Sequence, residues 1–138
     1  MKRILLFSFV ALSLFSCKDS ANSDRPSSKY EGTKAQMADM EKDSPTKFLK
    51  VSGSSRNNLV NRTVVEGEVS NKSSLTTYKN IEVQLNFKDK EGKSLEKQKH
   101  TLEEVVKPGE SADFKIKVKH VKDAESVTID IVGADADK

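Results

Sequence analysis

Two histidines, one cysteine and 21 carboxylates are the groups through which this 138-residue chain could do chemistry. A metal site needs His, Cys, Asp or Glu clustered at ligand spacing, and neither His100 nor His120 belongs to such a run. The single cysteine, Cys17, rules out an intramolecular disulfide and a cysteine-built zinc site. No Gly-x-Ser-x-Gly turn supplies a nucleophile. Gly92-Lys93-Ser94 imitates the end of a phosphate-binding loop, but Phe87 stands where the first glycine of that loop is required. Glu103 and Glu104 are adjacent, so on a strand they point to opposite faces. Asp135 and Asp137 fall in what reads as a polar tail, residues 134–138. These residues predict a protein that is not an enzyme and uses no metal or cofactor.

Lys115, Lys117 and Lys119 are the one patterned set of charges. Their spacing of two puts them on one face of a strand, with Lys122 following. Two readings stay open. The stripe attracts an anionic polysaccharide or lipid headgroup, or it is a solvated face neutralised by Glu82, Asp130 or Glu125 on neighbouring strands. Nucleic acid fits neither reading, because no exposed aromatics interleave with the lysines.

The lysines sit in a chain whose dominant period is two. Ile81, Val83, Leu85 and Phe87 alternate with Glu82, Gln84, Asn86 and Lys88, which makes 81–88 the central strand. Asp89 and Gly92 mark a hairpin connection after it. Before it, Phe48, Leu49 and Val51 begin a first strand that Gly53-Ser54-Ser55 is expected to end. Thr63 to Ser70 forms a second, in which Gly67 signals a bulge or a close approach of another strand. After it come a lysine-studded edge strand from Ser94 to Thr101, an apolar run at Leu102, Val105 and Val106, a Pro108-Gly109 turn, the lysine strand from Ala112 to Val118, and a last strand carrying Val127, Ile129 and Ile131. About seven short strands without helical pattern between them predict a single all-β domain over residues 45–133, an antiparallel β-sandwich of immunoglobulin-like type.

The N-terminal 44 residues have another character. Residues 1–16 open with Lys2 and Arg3 and continue as an apolar run too short to span a bilayer, the pattern of a signal peptide. Removing them leaves 22 basic against 21 acidic residues, a nearly neutral chain. Residues 18–44 lack hydrophobic periodicity and read as a flexible tether with a root-mean-square span of about 30 Å. Within it, 34–42 (KAQMADMEK) is long enough for one or two helical turns, marginal alone.

Leu14-Phe15-Ser16-Cys17 resembles the lipobox of bacterial lipoproteins, with Phe15 in the place of the usual small residue. The resemblance implies that Cys17 is acylated and becomes the N-terminus, a membrane anchor in the cell envelope and most simply in the outer membrane. Lys18 and Asp19 are similar to the surface-export signal of Bacteroidetes lipoproteins, which leaves surface and periplasmic faces both open. Three further stretches, VVEGEVSN at 64–71, Val83-x-Leu85-x-Phe87-x-Asp89-x-x-Gly92 and Val106-x-Pro108-Gly109-Glu110-x-x-x-Phe114, resemble the FxLYD-type immunoglobulin-like domains of bacterial extracytoplasmic proteins. Asn86-Phe87-Lys88-Asp89 replaces the Leu-Tyr-Asp signature. The match covers about residues 47–133 and implies fold, since its motifs are turn and core positions.

The expected function is a lipid-anchored module that meets an unknown protein partner or serves a structural role, through loops at 52–61, 71–77 and 120–125. The alternative is a surface-anchored glycan-binding domain. The chain has no Trp for stacking on sugars, and Phe48, Phe87 and Phe114 fall at core-facing positions, leaving Tyr30 and Tyr78.

Overall fold

The computed structural model describes residues 27–58 and 60–137. The expected signal peptide 1–16, Cys17, Lys18 and Asp19 lie outside the described residues. Two helices, α1 (Ser27–Asp43) and α2 (Pro45–Phe48), precede six strands: β1 (Leu49–Asn57), β2 (Arg62–Asn71), β3 (Tyr78–Lys88), β4 (Ser94–Leu102), β5 (Ser111–Lys119) and β6 (Ser126–Ala136). They form two three-stranded antiparallel sheets in the orders β1-β2-β5 and β4-β3-β6, packed face to face as a β-sandwich.

The period of two in β3 does what alternation requires. Ile81, Val83, Leu85 and Phe87 are fully buried, and β3 is the middle strand of its sheet. They meet Val65 and Val69 of β2 and Phe114, Ile116 and Val118 of β5 in one core. At Asn80, a left-handed φ of 47° and a register shift change the parity of β3. Tyr78 therefore turns inward with Ile81, although the two are an odd number of residues apart. The β3–β4 hairpin is built by Asp89, whose Oδ1 accepts the amides of Glu91 and Lys93, and by Gly92 at φ 82°. Gly109, at φ 76°, closes the second turn expected from the sequence.

Several expectations are corrected. Among the described residues there are six strands rather than seven, because the apolar run at Leu102, Val105 and Val106 does not form one. Val105 is exposed, Pro108 lies two residues beyond Val106, and only Val106 pairs, exchanging both backbone hydrogen bonds with Tyr78. β1 does not stop at Gly53-Ser54-Ser55 but runs to Asn57, with Gly53 directly opposite Gly67. Two facing residues without side chains let the strands approach where any Cβ would be in the way. The last strand continues through the expected polar tail to Ala136. Lys79 Nζ holds Asp137 at 2.6 Å, Asn80 donates to Asp135, and the Asp137 amide donates to Thr77. Asp137 also raises the Lys79 ammonium above its usual range.

The segment expected to be a flexible tether up to residue 44 holds α1, far longer than one or two turns. A 17-residue helix of this polarity is marginal in isolation, so its contacts with the sandwich carry it.

Candidate interaction surfaces

α1 reaches the sandwich through one buried side chain. Glu41 is 1% exposed, whereas almost every other described side chain of α1 is exposed. Its Oε1 accepts the Ser74 amide at 2.7 Å and its Oε2 the Leu75 amide at 3.0 Å. The Glu41 carbonyl accepts the Tyr78 hydroxyl at 2.7 Å. Successive backbone N–H groups of a turn form a concave anion site, and here the chain's own carboxylate fills it. Burial alone would push the Glu41 carboxyl up. The hydrogen bonds from Ser74, Thr76 and Leu75 outweigh it and hold the group below its ordinary 4.5. Burial, aided by the Glu41 charge, pushes Tyr78 up to about 12, so its hydroxyl stays a donor at neutral pH.

A carboxyl depressed in the folded state adds stability above its unfolded pKa and loses it as pH falls through the folded value. Docking of α1 is therefore expected to be complete at neutral pH and to weaken as the pH falls below 4.5. The shifts of the Ser74 and Leu75 amide protons report it in a pH titration. Glu41→Ala is expected to cost about 2 kcal/mol through its two orphaned amides and to lower helical ellipticity with the β signal unchanged. An unchanged helix signal would refute the anchor.

Asn71 holds the turn that presents those amides. It is fully buried; its Nδ2 donates to the carbonyls of Thr76 and Val106, and its Oδ1 accepts the Ser73 amide. Of the three loops expected to form a surface, 71–77 is thus occupied by α1 at one end of the sandwich. Asn58, Val60 and Asn61 share the opposite end with the 120–125 loop, tied by the His120 amide donating to Asn61.

The second surface is the outer face of the β1-β2-β5 sheet. Its register stacks Arg62 beside Lys119, then Arg56, Val64 and Lys117, then Ser54, Glu66 and Lys115, then Ser52, Glu68 and Asp113. The counter-charges expected for the lysine stripe are not there: Glu82 and Asp130 belong to the other sheet and Glu125 to a loop of the opposite connection. Glu66 takes that role alone. It pairs with Lys115 and, at 3.1 Å, with Arg56, and chiefly the Lys115 hydrogen bond lowers its carboxyl pKa. Arg62, Lys117 and Lys119 have no carboxylate partner among the described residues. Beyond Glu66 the face turns acidic, with a depression of about 800 Å³ over Gly53 and Gly67 rimmed by Glu68, Glu104 and Asp113.

His100 is not a plain surface residue. It lies opposite Val83 on the inner face of the edge strand β4, half-buried, its Nε2 3.4 Å from Gln98 Oε1, and Gln98 donates in turn to Glu96. His120 is also half-buried, with its Nδ1 enclosed and without a hydrogen-bond partner among the described residues. Among the described residues no group of three or more His, Cys, Asp or Glu is placed to hold a metal ion. Comparison with family models, curated proteins and solved structures finds no match to this chain.

Proposed function

We propose that this chain is a lipid-anchored protein of a bacterial cell envelope, held through acylated Cys17, whose sandwich is a non-catalytic interaction or structural module similar to the FxLYD-type domains. The observation that carries the reading is the position of the only cysteine, at the end of a short apolar run behind two basic residues. The docked helix gives it mechanical sense. Residues 18–26 reach at most about 30 Å when extended, and α1 then leads into the 71–77 end of the sandwich through Glu41. That end is the one nearer the anchor, and the end carrying 58–61 and 120–125 is directed away from it.

Protease treatment of intact and lysed cells, with wild type beside Cys17→Ala, tests the reading. Wild-type chain is expected in the membrane fraction and Cys17→Ala in the soluble fraction. Digestion on intact cells assigns the outer surface, and digestion only after lysis assigns the periplasmic face. Membrane retention of Cys17→Ala equal to wild type would overturn the anchor.

A further inference from the structure

The outer face of the β1-β2-β5 sheet is segregated by sign along the strands. Over three consecutive rows it carries Arg56, Arg62, Lys115, Lys117 and Lys119 against the single acid Glu66. These cations are exposed, and successive lysines on β5 stand about 7 Å apart. Three of the five, Arg62, Lys117 and Lys119, have no ion-pair partner among the described residues. In a chain whose formal charge is only +3, such a cluster is a local field rather than a reflection of overall composition.

We propose that this basic half-face binds a linear anionic polysaccharide. The patch is a flat surface of long flexible side chains, with the repeated spacing suited to a polymer carrying regularly placed carboxylate or sulfate groups. Exposed Ser54, in the row of Lys115, and exposed Asn61, next to Arg62 in the chain, offer uncharged partners for sugar hydroxyls. Folded protein partners are held chiefly by apolar and aromatic anchors at the centre of an interface. The only apolar side chain within these rows, Val64, is 4% exposed and out of reach. No aromatic side chain stands on the rows for a nucleobase to stack on. The proposal deepens the reading of the sandwich as a binding module. It is scored in solution, so it can fail while anchoring at Cys17 stands, and the reverse.

The test measures retention of the full chain in detergent on immobilised polygalacturonate, dextran sulfate, neutral dextran and poly-L-glutamate. Binding is expected to at least one anionic polysaccharide and not to dextran. Affinity is expected to weaken about tenfold or more between 50 and 200 mM NaCl, as for other ligands held by several charge contacts. Retention on polygalacturonate only would assign the ligand groups as carboxylates, and on dextran sulfate only as sulfates; either supports the site. Arg62→Gln/Lys117→Gln/Lys119→Gln is expected to lose at least tenfold in affinity. Lys90→Gln/Lys97→Gln/Lys99→Gln removes the same charge from the β3–β4 hairpin and is expected to stay within twofold of wild type. Equal loss in both variants, or no binding to either polysaccharide at 50 mM NaCl, would overturn the proposal. Tighter binding to poly-L-glutamate than to either polysaccharide would overturn it in favour of an acidic polypeptide.

Discussion

Gly67→Val is expected to abolish the folded sandwich at 37 °C, and Gly67→Ala to destabilise it by about 3 kcal/mol, at the upper end of overpacking costs. The cause is steric and sits in the backbone. A Cβ built on Gly67 would overlap the Ser52 carbonyl oxygen and lie 2.8 Å from Gly53 Cα, as well as 2.9 Å from the Phe114 ring. A flexible side chain can swing aside, but the first two atoms belong to the facing strand, so β1 must move off β2 to make room. Its core residues Leu49 and Val51 would move with it. Thermal unfolding of Gly67→Ala beside Gly67→Ala/Phe114→Leu separates the causes. The double variant relieves only the ring contact and is expected to recover little. Full recovery would show that the ring, not the strand, sets the limit.

Gly67 was half legible in the sequence. A glycine inside an alternating strand announces a bulge or a close approach, and the structure selects the approach. Its partner Gly53 was misleading, because Gly-Ser-Ser has the composition of a turn and nothing local distinguishes a turn from an edge strand that must lie flat against another glycine. The same ambiguity hid the end of β6, where Asp135 and Ala136 are held by ladder partners on β3 rather than by hydrophobic period. Core positions of β3 and β5 were readable because alternation is a property of the strand alone. α1 was not, since its stabilisation comes from Glu41 meeting amides more than 30 residues away. A buried glutamate looks like any other in a polar helix.

The same limit applies to the lysine face. Spacing alone placed Lys115, Lys117 and Lys119 together, but the sign of their surroundings depends on which strands flank β5. β5 is an edge strand beside β2, so Arg56 and Arg62 join the lysines while the expected acids lie on the other sheet. Strand order converted a stripe of three cations into a patch of five. That conversion is what separates a solvated face from a surface able to hold a polymer.

Asn71→Ala is expected to cost about 3–5 kcal/mol: the buried Ser73 amide is orphaned at about 1–3 kcal/mol, and the carbonyls of Thr76 and Val106, which keep the Ser73 hydroxyl and the Tyr78 amide, each lose a second hydrogen bond at about 1 kcal/mol. For a domain of this size that corresponds to a fall in Tm of about 15–30 °C. The partners come from different stretches: Ser73 and Thr76 shape the turn that presents amides to Glu41, and Val106 ties in the β4–β5 connection. The Asn71 backbone adds to this, donating to Glu110 and accepting from Gly109. Asn71→Asp is the informative companion, with the same shape and the acceptor for Ser73 retained. It loses both Nδ2 donors and sets a carboxylate against the carbonyls of Thr76 and Val106, so at neutral pH it is expected to be at least as damaging as alanine. Lowering the pH protonates that carboxyl, restores one donor and is expected to recover part of the loss. Equal stability of Asn71→Asp and wild type at pH 7 would mean that the Nδ2 donors add nothing to the partners these carbonyls already have, the Ser73 hydroxyl and the Tyr78 amide. If instead both variants unfold early and α1 loses its helix signal with them, one buried amide holds together the turn, the β4–β5 connection and the docked helix.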